Sequence, residues 1–109
     1  VAYKVLTGEQ MAELLEKGSF AGAPVDLADG YIHLSTAEQL TGTLDKHFAG
    51  QDGLHLAAVD LAALGDGLRW EPSRGGQLFP HIYAVLPLSA VLAHAPLTRA
   101  ADGSPVLPQ

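Results

Sequence analysis

Two helix-start signals, each following a short alternating run, narrow the folds open to this chain more than anything else in it. Thr7-Gly8-Glu9-Gln10 reads as a capping box, a threonine N-cap with glutamine three residues on. It predicts a helix over about residues 8–17, with Met11, Leu14 and Leu15 facing in, Glu9, Glu13 and Glu16 facing water, and Gly18 as the stop. Ser35-Thr36-Ala37-Glu38 repeats the signal and predicts a helix over about 36–47, with Leu40, Leu44 and Phe48 inward. Residues 2–6 and 31–34 alternate as strands ahead of these two helices. After the second helix the remaining signals are strands, at 54–60, 68–71, 78–86 and 91–94. The order β, α, β, α and then several strands predicts an α+β fold, with two main helices on a mostly antiparallel or split β-sheet. Too few helices separate the later strands for a doubly wound parallel sheet.

The connections follow from glycine and proline. Residues 19–30 contain Gly22, Pro24 and Gly30 and read as a loop pinned by Phe20 and Val25. Residues 61–67 read as a turn or a single helical turn, and 72–77 as a loop. Pro80 places the 78–86 strand at an edge or at its own first residues. From Pro96 a Pro- and Gly-punctuated tail is expected to be poorly ordered or strapped over the surface, so the chain divides into a single domain, 1–97, and a tail, 98–109. At 109 residues and 48% hydrophobic, the chain suffices for one core. No apolar run is long enough to span a membrane. The absence of cysteine excludes disulfides, thiolate metal sites and a cysteine nucleophile, and suits the cytoplasm. A net charge of −6 argues against a DNA- or RNA-binding module, while a small anionic ligand held by one arginine is compatible with it.

The candidate chemistry lies in 29–36 and 79–83. Alternation puts Ile32 and Leu34 on one strand face and Tyr31, His33 and Ser35 on the other. The same count puts Ile82 and Ala84 on one face and Phe79, His81 and Tyr83 on the other. A lone strand histidine is ordinarily structural, bonded to a backbone carbonyl. The repeated layout is what makes a site of His33 and His81, because two aromatic–histidine faces brought together form a small-ligand cleft. Ser73-Arg74-Gly75-Gly76 adds an arginine fork and backbone N–H groups for an anion, but lacks the Gly-Lys-Ser/Thr ending of a phosphate loop. Glu71 is placed to orient a histidine or a ribose hydroxyl, and Trp70 is expected in the core. Ser35 is better explained as a helix N-cap than as a nucleophile. No His-x-His, His-Glu-x-x-His or His-x-x-x-His spacing supports a metal site.

Asp29-Gly-Tyr-Ile-His-Leu-Ser-Thr-Ala-Glu-Gln39, Trp70-Glu-Pro-Ser-Arg-Gly-Gly76 and Phe79-Pro-His-Ile-Tyr83 together resemble the small bacterial domain-of-unknown-function family 952. The resemblance implies a fold similar to the ADP-ribosyltransferase domain, a split sheet with a nicotinamide-dinucleotide cleft. It further implies an ADP-ribosyltransferase-like protein that binds NAD or a related nucleotide, a glycosyltransferase of the ADP-ribosyl type if it is an enzyme. In that picture His33 and Ser35 hold the nicotinamide-side ribose, Tyr83 with His81 lines the base pocket, Arg74 meets the pyrophosphate, and Tyr31 is a further cofactor-binding residue. His33, His81 and Glu71 are its catalytic candidates. Many transferases of this fold use a glutamate on a late strand, and residues 86–97 contain none. A non-enzymatic module that binds a small ligand or a protein is the alternative. A glutamate-free chemistry like that of the RNA 2′-phosphotransferases would need an RNA substrate, against which the acidic balance argues.

Overall fold

The computed structural model describes residues 1–108, and of Arg74 the backbone only. The chain is α+β with antiparallel sheets. In order, the elements are β1 (Ala2–Leu6), α1 (Gly8–Lys17), β2 (Ser19–Phe20), α2 (Pro24–Asp29), β3 (Ile32–His33), α3 (Leu40–His47), β4 (His55–Val59), β5 (Leu68–Pro72), β6 (Leu78–Ile82), β7 (Leu86–Pro87) and β8 (Val91–Pro96). Short 3₁₀ turns precede α3 (Ala37–Gln39), follow β4 (Leu61–Gly67) and precede β8 (Leu88–Ala90), and another forms at Arg74–Gly76. No described helix is long and apolar enough to cross a membrane.

The first helix starts as its residues dictate. Gln10 donates its N–H to Thr7 Oγ1 at 3.1 Å, and Gln10 Oε1 accepts the Thr7 N–H at 2.9 Å. Leu15, expected to face in, is exposed instead. The second helix start lies one residue later than expected. Thr36, not Ser35, gives its N–H to a reaching side chain, Gln39 Oε1 at 3.0 Å. Ser35 is buried, with its hydroxyl 2.8 Å from Thr43 Oγ1.

The largest correction concerns 19–30, which is not a loop. Ser19 and Phe20 pair with β7, and Pro24 opens a third helix. Proline at the first helical position loses no needed N–H and has its φ already set. Asp26, two residues on, accepts the Ala23 N–H at 2.8 Å, which caps the turn. Gly22 makes the approach possible: its φ is +136°, and a Cβ there would sit 3.0 Å from the Asp26 Cβ.

Three small sheets result, ordered β1-β4-β8, β2-β7 and β3-β6-β5. A two-bond bridge between Tyr3 and Ser35 ties the first sheet to the third. Leu6, Leu14, Phe20, Ile32, Leu34, Val59, Ile82 and Leu86 form the main core. Val5, Leu40, Leu44, Leu54 and Leu56 form a second cluster, against which Leu97 and Leu107 of the tail pack. The tail is thus strapped down, with an Arg99–Pro105 bridge of its own.

The expected 78–86 strand divides into β6 and β7. Pro80 lies within the central strand of the third sheet, not at an edge. Its carbonyl accepts the Leu34 N–H at 3.0 Å. In an antiparallel strand one residue's nitrogen and carbonyl face the same side, so the missing donor falls just beyond the two-residue β3 ladder. Trp70 is not core. It lies on the edge strand β5 and is 46% exposed.

Candidate functional site

The register of the third sheet lays out the site. His81 on β6 stands opposite His33 on β3 and opposite Arg69 on β5, so these three residues form one row across the sheet. Side chains alternate, so Tyr31 and Tyr83 share this face on one side of the row, and Ser35, Phe79 and Glu71 share it on the other. Ile32, Leu34 and Ile82 point the opposite way, into the core. The two-faced strands read from sequence are therefore present.

The face is an aromatic cluster. Tyr31 stacks on His81 with ring centroids 4.1 Å apart and 29° between planes. It tilts against His33 at 4.7 Å and against Tyr83 at 5.2 Å, and His33 meets His81 edge-on at 5.4 Å. Glu71 joins from β5: its Oε1 lies 2.8 Å from His81 Nδ1 and accepts the Tyr83 hydroxyl at 2.7 Å. The bonds from His81 and then from Tyr83 hold the Glu71 carboxyl below its ordinary range. The same bond to Glu71 raises the Tyr83 phenol. Loss of water contact, helped by the charges of Asp29 and Glu71, raises Tyr31.

His33 is held at both ring nitrogens. Nδ1 is 2.6 Å from Asp26 Oδ1, and Nε2 is 2.9 Å from Asp29 Oδ2. Ionised carboxylates only accept, so both contacts are hydrogen bonds when the ring carries both protons. Behind His33 lies a buried network. Asp26 Oδ2 accepts from Lys4 Nζ at 2.9 Å, Asp26 Oδ1 accepts the His33 N–H at 3.1 Å, and Lys4 Nζ also donates to the His33 carbonyl at 3.1 Å. Burial alone would raise the Asp26 carboxyl. The His33 hydrogen bond and the Lys4 charge outweigh it and hold the group at about 2. Burial pushes the Lys4 amine down, against the opposing pull of Asp26.

The structure thus brings together Tyr31, His33, His81, Tyr83 and Glu71. Ser35 lies on the same face but is buried, with its hydroxyl on Thr43. Arg74 begins a 3₁₀ turn, and its side chain lies outside the described residues. Sequence reading missed Lys4, Asp26 and Arg69. Lys4 was one member of an alternating strand, and Arg69 one of a short strand. For Asp26 a signal existed, the Pro24-x-Asp26 pattern of a helix first turn. Among the described residues no group of three or more His, Cys, Asp or Glu is placed to hold a metal ion.

A groove of about 310 Å³ runs beside the cluster, lined by Asp26, Leu27, Tyr31, Ile82, Tyr83 and Val85 among others. A larger hollow of about 430 Å³ lies by α3 and the tail, lined by Asp45, Phe48, Leu54, Leu97 and Arg99 with no histidine or tyrosine. Of the clustered side chains Tyr31 and Tyr83 line the smaller one, and His33, His81 and Glu71 line neither.

These features define a small α+β protein with one sheet face given to a polar aromatic cluster. The chain belongs to the family described as "Protein of unknown function (DUF952)", whose model matches residues 5–94. It is similar to Protein CC0527 from Caulobacter crescentus, whose crystal structure is 47% identical over 97% of this chain and 93% of that one, with a TM-score of 0.87. The solution NMR structure of CC0527 matches at 47% identity over 95% and 90% of the two chains, with a TM-score of 0.80. No curated protein matches the chain.

Proposed function

We propose that this chain binds NAD or a related nucleotide on the open face of the third sheet, and acts on it in the manner of ADP-ribosyltransferase-like proteins. On this reading the first and third sheets are the two halves of the split sheet of that fold. The observation that carries the proposal is the placing of Glu71. A carboxylate that the late part of the sequence lacks stands instead within the ring cluster, held by His81 and Tyr83. The nearby groove has the volume of a small-ligand site and is lined by Tyr31, Tyr83 and Asp26 with apolar residues such as Leu27, Ile82 and Val85.

In a nucleotide complex Tyr31 and Tyr83 supply the flat surface against which a nicotinamide ring packs. His33, kept in one orientation by Asp26, is the donor for ribose hydroxyls, and Asp29 is the exposed partner that a hydroxyl would displace. NAD brings a glycosidic bond whose cleavage builds positive charge on the ribose. An ionised Glu71 placed beforehand stabilises such charge without reorganising at the moment of reaction. Ser35 keeps its place on the same face but would need to release Thr43 to reach a ribose.

Calorimetric titration with NAD and with ADP-ribose tests the binding step. Binding is expected, and His33→Ala is expected to weaken it; no heat at millimolar ligand sinks the proposal. A second reading, a non-enzymatic binding module, draws on the apolar Leu27 and Val85 beside the groove, both exposed. Released nicotinamide separates the two: turnover that Glu71→Gln abolishes while NAD still binds is the enzyme's signature, and binding without turnover is the module's.

A further inference from the structure

The charged and imidazole groups on this sheet face are matched with one another, with two exceptions among the described residues. Asp26 is bonded by Lys4 and His33, Asp29 by His33, and Glu71 by His81 and Tyr83. The first exception is His81 Nε2, buried and without a partner among the described residues. The second is Arg69. Among the described residues no carboxylate forms an ion pair with its guanidinium, although the chain carries a net charge of −6 and has many to offer. The two exceptions are register partners on adjacent strands, in the row that also contains His33.

Arg69 is also held in place. Its Cζ lies 5.6 Å from the centroid of the Tyr83 ring. Packing a guanidinium over a ring restrains it while leaving the N–H groups at its rim free to donate, and those donors form a planar fork that suits phosphate oxygens. The other cation of this region, Lys4, is buried and spent on Asp26 and the His33 carbonyl.

We infer that Arg69 is the anion-binding residue of this face and that the ligand it takes carries a pyrophosphate. The identity of the nucleotide rests on the proposed function above; the anion site rests on Arg69 itself. The phosphate role that sequence reading gave to Arg74 passes on this view to Arg69, whose guanidinium lies over Tyr83 and whose strand position faces His81.

Isothermal titration with inorganic pyrophosphate, and separately with NAD, tests this on the wild type, Arg69→Gln, Arg69→Lys and Arg74→Gln, each first checked for unchanged thermal unfolding. Arg69→Gln is expected to weaken pyrophosphate by about tenfold or more, the worth of a charge-assisted fork. Arg69→Lys, which keeps the charge and loses the fork, is expected to fall between, and Arg74→Gln to match the wild type. Wild-type protein that ignores pyrophosphate, an Arg69→Gln variant that binds it unchanged, or a loss seen with Arg74→Gln instead would each overturn the inference. Pyrophosphate bound through Arg69 with no binding of NAD leaves the anion site standing and removes the nucleotide reading.

Discussion

His33 and His81 face each other across two paired strands, yet the chain finishes them in opposite ways. His33 is partly exposed and has carboxylates at both ring nitrogens, one of them backed by a buried lysine. His81 is fully buried, with one nitrogen on Glu71 and the other without a partner among the described residues. The first is an over-determined group held by the scaffold. The second is under-satisfied, and a buried polar atom left unpaired costs stability. Rigidity thus lies on the β3 side of the face, and unused binding capacity lies on the β5–β6 side.

The comparison breaks most sharply at Asp26. Asp26→Ala leaves the Lys4 charge buried without its partner and frees His33, and is expected to destabilise the fold by about 3–5 kcal/mol. Urea unfolding measures it. Lys4→Met combined with Asp26→Leu should recover part of the loss, because the isolated buried charge is then gone; a double variant no more stable than Asp26→Ala would show that the ion pair is not what holds this side together.

Acid tests the same network with a smaller effect. The Asp26 carboxyl is depressed from 3.8 to about 2 in the folded protein. A depressed folded value means stabilisation that is present above the unfolded value and lost as pH falls through the folded one. The contribution is about 2 kcal/mol, lost between about pH 4 and pH 2. Stability measured across that window should fall in the wild type and flatten in Asp26→Asn; equal slopes would locate the acid sensitivity elsewhere.

On the other side, His81→Phe keeps a ring for Tyr31 to stack on and removes both the Glu71 bond and the unpartnered nitrogen. The loss of one hydrogen bond is offset by the removal of one buried polar atom, so stability is expected to change by no more than about 1 kcal/mol. A loss as large as that of Asp26→Ala would mean that His81 is as much a scaffold residue as His33. An intact fold that no longer binds pyrophosphate or NAD would show that the β5–β6 side contributes binding the scaffold does not need.

Much of this was legible along the chain because it is written in local chemistry. The first capping box, the glycine stop at Gly18 and the two-faced strands at 31–34 and 79–83 depend on neighbours a few residues away, and they read out as expected. The convergence of Tyr31, His33, His81 and Tyr83 was legible as repeated layout, and Glu71 as a carboxylate placed to orient a histidine, though no local rule put them on one sheet. The second cap slipped from Ser35 to Thr36 because Ser35 bonds a residue eight positions away. Helix α2 was hidden by the glycines and proline around it, although proline at a first helical position is itself a start signal.

By itself the sequence determined the alternation that separates an apolar strand face from an aromatic one, since the side-chain period of a strand is a property of the backbone. Only the tertiary structure decided what each histidine would meet. Lys4 and Asp26 are 22 residues apart, and nothing local predicts that β1 will carry an amine beneath the first turn of α2. Arg69 and His81 became neighbours when β5 and β6 took their register, and Trp70 was left exposed because β5 became the edge. Charge pairing and burial are set by which elements pack together, a long-range outcome of core formation that the order of residues along one strand does not contain.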